Sequence, residues 1–421
     1  MTIVTTATAP PVATATAPPV ALYVHVPFCV SLCPYCDFVV YPGAAARGER
    51  SRVAAFLAAL RVELRLRADA LDERFGAPGG SARPALDSLY LGGGTPSLLP
   101  ADAVAELIAL AGERFGLAGG AEVTIEANPG RDERGEARAL ARAGVTRLSI
   151  GAQSLVAGEL RRLGRRHRPV DVRDTVVAAR EAGVGSVSLD LLYDVPGGSL
   201  GTWTDTLDAA LDLRPDHLSL YALTLDDPDA EGLTGPSGDH LPTTAGARRW
   251  RAAARTGQDD DRAAAQYRHA TDRLAAAGWR GYEISNWARP GHESRHNLAY
   301  WERRPYEAVG PGAHAFDGAV RRWNAARLDA WIAALVPPDG GEPRLPPGGE
   351  ERLDAATAGT EAVILGLRTD RGVPIASVSR PPLADAFGWA LEAELLEVTD
   401  DRILLTTRGR LLSNELFARL V

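Results

Sequence analysis

Phe28-Cys29-Val30-Ser31-Leu32-Cys33-Pro34-Tyr35-Cys36 holds every cysteine of the chain. The C-x3-C-x2-C loop follows a short apolar run, Leu22–Val26, that reads as a strand. Three thiolates so close together can hold three irons of a [4Fe-4S] cube, and no fourth cysteine completes the set. The remaining iron is left open to a ligand from outside the protein. Two other readings compete: a disulfide with a spare thiol, or a zinc site. Structural zinc wants four ligands, and His25 is the only nearby candidate.

Outward from that loop, β-branched or Leu-rich runs alternate with longer amphipathic ones. Strands are predicted at Leu22–Val26, Leu86–Leu91, Glu122–Glu126, Arg147–Ile150, Ser186–Leu191 and His217–Tyr221. Helices are predicted between them at 52–71, 102–115, 132–143, 171–182 and 202–213. Six strands separated by helices, with polar residues at the strand ends, predict an α/β fold: a partial (βα)6 barrel open to one side. Past about Leu223 the pattern changes. Residues 225–244 read as loop, 259–277 as helix, 282–318 as aromatic and irregular, and 337–349 as linker. Segments 355–367, 375–387 and 391–398 read as helical, then 402–407 as a hairpin strand before a last helix. That order suggests a small, mostly helical, winged-helix-like domain. The expected division is therefore 1–20 tail, 21–225 barrel, 226–336 barrel extension and 350–421 C-terminal domain. The tail repeats TATAPPV and lacks a charged segment followed by an apolar one, so disorder is expected rather than a secretory signal.

Hydrophobic residues make up 45% of the 421, ordinary for a globular chain with a sizeable core. The formal charge of −8 argues against a nucleic-acid surface, the C-terminal segment included. No apolar stretch reaches the roughly 18 residues of a membrane span. A cluster loop without cysteines to spare for disulfides fits a reducing cytoplasm. All 46 basic residues are arginine. Lysine chemistry is thereby excluded, and anionic groups must be met by guanidinium.

Gly92-Gly93-Gly94-Thr95-Pro96 follows the second strand. Consecutive glycines let backbone approach a ligand and offer it exposed amides, although a tight turn explains the run equally well. Glu126, Gln153 and Asp190 each place a polar group where a barrel strand meets its loop. Singly, each reads as well as a cap or a satisfied core group. Arg165 and Arg166 form a basic knot in an acidic protein, which a solvated surface run would also explain. In Arg295-His296-Asn297-Leu298-Ala299-Tyr300-Trp301, followed by Gly310-Pro311-Gly312-Ala313-His314-Ala315-Phe316, histidines among aromatic faces suit a flat iron macrocycle, although such histidines are more often packed and hydrogen-bonded, and the choice of iron ligand among His25, His296 and His314 stays open.

Taken in order, YVHVPFC, the cysteine loop with CDF, GGGTPS, EANPG, SIGAQS, LGRRH, LDLLYDVPG and RHNLAYW resemble one family. It is the oxygen-independent coproporphyrinogen III oxidase group of the radical S-adenosylmethionine (SAM) superfamily. The match runs from about Leu22 to Phe316, and LTTRGRLLSNELFARL resembles the group's C-terminal domain. Phe38 stands where the dehydrogenases carry a further cysteine, and HNLAYW replaces their Arg-Asn-Phe-type segment. Both features resemble the heme chaperone (HemW) branch, which implies binding of heme and its delivery to recipient hemoproteins. The alternative is a coproporphyrinogen III dehydrogenase that turns propionates into vinyls in porphyrin biosynthesis. The resemblance implies that Cys29, Cys33 and Cys36 hold the cluster. It implies SAM contacts at Tyr23, Gly93, Gly94, Thr95, Glu126, Gln153, Arg165, Asp190 and Ala222, with Tyr35 facing SAM and His296 contacting heme. No residue is assigned a catalytic role.

Overall fold

The computed structural model describes residues 15–226, 228–379 and 383–421. Most of the expected tail lies outside them. Its last residues are pinned, since Ala17 N–H donates to Asp317 O and Val20 N–H to Pro305 O.

Six parallel strands form the barrel wall: β1 (Ala21–Val26), β2 (Leu86–Gly93), β3 (Leu117–Ala127), β4 (Arg147–Gln153), β5 (Ser186–Tyr193) and β6 (His217–Ala222). Each is one or more residues longer than its apolar run: β1 and β3 gain residues at their starts, and β2 to β6 gain polar, aromatic or small residues at their ends. The wall does not close. Beyond β6, Asn286–Ala288 and Arg280–Gly281 continue the sheet antiparallel. On the other side Tyr306–Val309 pairs parallel to β1, followed by an antiparallel run of His314–Phe316, Val320–Asn324 and Gly348–Arg352. The segments expected to be irregular or linker therefore extend the sheet at both ends. Their strands are three to five residues long and flanked by Gly and Pro, too short for periodicity to register.

The helices between strands cover the outside. Along the longest, Val53–Phe75, residues Phe56, Leu60 and Leu64 are fully buried at helical spacing. Each such side chain contributes roughly 1.5–3 kcal/mol. Phe56 stands edge-on to Phe28 at 5.2 Å and stacks on Trp331 at 5.3 Å, which ties the cysteine loop's first residue to the core.

The C-terminal domain has its own core around Leu367, Phe387, Ile403 and Leu416. Helices Ala355–Leu367 and Leu383–Glu392 pack with a small sheet ordered Val373–Pro374, Arg402–Leu405, Leu396–Thr399. Segment 391–398 is corrected from helix to strand. The helix stops at Glu392, Glu394 takes a left-handed φ of 59°, and Leu396–Thr399 pairs with Arg402–Leu405. The expected helix at 375–387 is also interrupted. Ile375–Val378 is a 3₁₀ turn and the helix resumes at Leu383, as the intervening Pro381-Pro382 in the sequence requires.

Candidate functional site

The cysteine loop is held by packing and by arginines. Phe28–Cys29 pairs with Tyr41–Pro42, and Cys36 N–H closes a turn onto Cys33 O at 3.1 Å. Arg251, only 3% exposed, donates to Pro34 O at 3.1 Å, Cys36 O at 2.9 Å and Asp226 O. It rides on Ala245–Arg255, a helix the sequence reading missed. No local motif marks it; its role arises from a contact spanning more than two hundred residues.

All three cysteines are free and half-exposed, so the disulfide reading falls. The zinc reading falls too, because both His25 nitrogens are engaged: Nδ1 with Tyr23 OH at 3.1 Å, Nε2 with Val39 O at 2.8 Å. Cys29 Sγ lies 3.4 Å from Thr95 Oγ1, and Arg165 donates to Cys33 Sγ at 3.3 Å. Burial pushes the Cys29 thiol up to about 11 and raises Cys36 as well. Thiols so placed are poor nucleophiles unless a cation stabilises their thiolates. Among the described residues no three His, Cys, Asp or Glu side chains gather as around one metal ion. A cube, which takes each sulfur on a different iron, fits this donor set better than a single ion does.

Arg165 organises the loop's surroundings. It also donates to Gly151 O at 2.9 Å and to Asn128 Oδ1. Asn128 in turn donates to Thr95 Oγ1 and Glu133 Oε2, both at 2.9 Å. The basic knot is thus a half-buried hub at Arg165, while Arg166 is exposed. Asn128 and Glu133 join it; Asn128 lies inside the EANPG motif but was not singled out.

The triple glycine is explained differently from expectation. Its amides are not free for a ligand. Gly93 N–H donates to Glu126 Oε2 at 2.9 Å, Gly94 N–H to Val26 O at 2.9 Å, and Thr95 N–H to Phe28 O at 2.7 Å. A Cβ on Gly94 would lie 2.6 Å from Phe28 O, and one on Gly93 2.4 Å from the His25 ring. These glycines let β2 lie against the start of the cysteine loop.

Tyr23, Tyr90, Glu126 and Asp190 occupy the half-exposed positions of otherwise buried strands, the alternation that marks an interior-facing wall. Ser149 donates to both Asp190 oxygens, at 3.2 and 3.1 Å. Gln153 ends β4 after a register shift, in a left-handed conformation of φ 65° that turns it off the strand. Ala222 is exposed at the end of β6. The expected residues therefore meet at one mouth, beside the cysteine loop.

Glu126 accepts from Tyr90 OH at 2.8 Å. Burial raises its carboxyl from 4.5 to about 7. The folded chain then keeps a proton that the unfolded chain releases, so stability falls as pH rises from about 4.5 to about 7. The loss from this group amounts to roughly 3 kcal/mol. In Glu126→Gln that slope is expected to flatten, as urea unfolding of the cofactor-free protein across this range will measure.

His296 lies inside the barrel. Ser294 caps the short helix Arg295–Trp301, accepting from Asn297 N–H at 3.3 Å, and this turns His296 into the barrel interior. His296 is 1% exposed, with Nδ1 bonded to Ser88 Oγ at 2.9 Å and Nε2 to Tyr300 OH at 2.7 Å. Both nitrogens are hydrogen-bonded within the fold. Trp301 faces the other way. It lies under Arg368 at 4.5 Å and lines a cleft of about 800 Å³ against the C-terminal domain.

Comparison with known proteins agrees with this architecture. The Radical SAM superfamily model matches residues 23–210, and the HemN C-terminal domain model matches 353–412. The heme chaperone HemW of Mycobacterium tuberculosis is 37% identical, covering 93% of this chain and 92% of its own. That of Escherichia coli is 35% identical over 73% of each chain, and that of Bacillus subtilis 29% identical over 94% and 97%. Among solved structures, the radical SAM enzyme coproporphyrinogen III oxidase (HemN) of E. coli superposes with a TM-score of 0.75. It is 23% identical, with 97% of this chain and 91% of that one covered. A relative 37% identical along nearly the whole length, and another 35% identical along nearly three quarters of it, decide the assignment: the chain belongs to the HemW family of the radical SAM superfamily.

Proposed function

We propose that this protein binds heme and delivers it to target hemoproteins. The observation that carries the reading is the 37% identity, along 93% of the chain, to a protein named as a heme chaperone. Phe38, 63% exposed, supports it, because it stands where the oxidase branch carries a further cysteine. The likeness to the oxidase is one of fold, at 23% identity, and fold alone carries no activity.

In this reading Cys29, Cys33 and Cys36 hold the [4Fe-4S] cluster. Tyr23, Gly93, Gly94, Thr95, Glu126, Gln153, Arg165, Asp190 and Ala222 surround SAM at the barrel mouth. When bound, the cluster supplies an iron with an open coordination position. The chain's own residues do the rest: Arg251 fixes the loop carbonyls, Arg165 and Thr95 steady two of the sulfurs, and Glu126 keeps its proton to higher pH than an exposed carboxyl does. The function is placed in the cytoplasm, where a half-exposed thiol set stays reduced. No helix among the described residues is long and apolar enough to cross a membrane.

The test is an anaerobic heme titration of the cluster-loaded protein, followed at the Soret band. Saturation at a fixed stoichiometry is expected; a featureless, non-saturating rise contradicts the reading.

A further inference from the structure

Residues 157–168 and helix Ala245–Arg255 hold nine arginines and a single acid, in a chain of net charge −8. That acid, Glu159, is 4% exposed and accepts from Ser154 Oγ at 2.7 Å, so it offers the surface no charge. Like charges gathered so closely repel one another and work against folding. Their gathering therefore calls for a reason outside the fold.

The two segments meet at the cysteine loop. Trp250 Nε1–H donates to Arg162 O at 3.1 Å, and its ring lies 6.2 Å from that of Tyr35, between Cys33 and Cys36. From one segment Arg165 reaches Cys33 Sγ at 3.3 Å; from the other, Arg251 holds the Pro34 and Cys36 carbonyls. A Cβ on Gly164 would lie 3.0 Å from Pro34 Cδ, so the turn carrying Arg165 and Arg166 packs directly on the loop.

Arg165 and Arg251 point inward, and the other seven arginines are exposed. Two of the seven are neutralised, Arg168 by Asp171 at 3.3 Å and Arg248 by Asp229 at 2.7 Å. Arg162 and Arg255 donate only to backbone carbonyls, those of Gly197 and Leu225. The guanidinium groups of Arg161, Arg166 and Arg249 have no hydrogen bond or ion pair among the described residues. Against these five unpaired cations the loop itself sets one exposed acid, Asp37.

We propose that this arginine face docks an acidic one-electron carrier protein that reduces the cluster. The inference rests on the cluster placement above and not on heme binding. The face flanks the loop that holds the chain's iron-sulfur centre, so a carrier seated on it comes to rest beside the thiols. One electron passes from the reduced carrier to the oxidised cluster, [4Fe-4S]2+ becomes [4Fe-4S]+, and no bond or proton moves. Unpaired guanidinium groups on an otherwise acidic protein steer a negative partner to this face and away from the rest of the surface. Nucleic acid or an anionic membrane would also meet arginine, but neither calls for a face built around the cysteine loop.

The experiment uses the full, cluster-loaded chain and a reduced plant-type [2Fe-2S] ferredoxin as the carrier, under anaerobic conditions. Cluster reduction is followed by stopped flow, and binding of oxidised ferredoxin by titration calorimetry. The double variant Arg166→Glu, Arg249→Glu is compared with wild type and with Arg142→Glu, Arg214→Glu. The second pair changes the net charge equally but lies just before the starts of β4 and β6, away from the loop. Iron content and far-ultraviolet circular dichroism check that each protein is loaded and folded. At low ionic strength the first pair is expected to slow reduction and weaken binding about tenfold or more, and the second to change neither beyond about twofold. Added salt should slow wild type and affect the first pair little. Photoreduced deazaflavin, a small reductant that needs no docking, should reduce all three alike. Wild-type rate and affinity in the first pair, or an equal loss in both pairs, would overturn the proposal. Anionic phosphatidylserine vesicles that bind wild type but not the first pair, with ferredoxin kinetics unchanged, would assign the face to lipid and overturn it too. Wild-type protein that takes up no iron would overturn the cluster placement, and this inference with it.

Discussion

Cys36→Ala is expected to abolish cluster assembly. Two thiols remain, and the chain has no further cysteine to recruit. Neighbouring histidine cannot substitute, because both nitrogens of His25 are already hydrogen-bonded inside the fold. Iron and sulfide after anaerobic reconstitution should fall from about four of each per chain to near zero. The fold should survive, since the loop is anchored by Phe28 in the core and by Arg251 on the Pro34 and Cys36 carbonyls, not by the thiols. Retention of full iron content in the variant would contradict the assignment.

Glu63→Ala carries the largest expected stability effect. Glu63 is fully buried in Val53–Phe75 and accepts from Gly310 N–H at 2.9 Å, Trp331 Nε1–H at 2.9 Å and Asn324 Nδ2–H at 2.7 Å. Arg67, one turn on, pairs with it at 3.5 Å. The carboxylate thus ties a barrel helix to the strands and turn added beyond β1. Removing it strands a buried guanidinium and three buried donors, a loss of about 3–5 kcal/mol. Denaturant unfolding checks the magnitude. Because Gly310 leads into the turn that packs on Val39, thiol accessibility in the cysteine loop should rise alongside. A change below about 1 kcal/mol would show that the hub is dispensable.

What the sequence revealed, and what it hid, follows from range. The six barrel strands were legible because each carries two or more buried Leu, Val or Ile within a short run and is separated from the next by a helical pattern. Cys29, Cys33 and Cys36 were legible because their chemistry lies in the spacing itself. Residues at the strand ends, Glu126, Gln153 and Asp190, could be located because parallel strands align their C-termini. Arg251 could not, since its partners lie in a loop far back in the chain. The partners of His296 could not be read either, because a histidine among aromatics reads alike whether its nitrogens are free or hydrogen-bonded. They are Ser88, from the second barrel strand, and Tyr300, one turn along the same helix. Segment 391–398 misled for a local reason: Glu394 and Asp400 adopt positive φ, which residues other than glycine signal weakly.

The measurement that tests the central claim most directly is anaerobic mixing of the heme-loaded, cluster-loaded protein with a heme-free acceptor hemoprotein. The two are then separated, and the Soret spectrum of each is recorded. Heme is expected to leave this protein and appear in the acceptor, faster than from a matched solution of free heme. Heme that stays with this protein, or reaches the acceptor no faster than free heme does, would contradict a role in delivery.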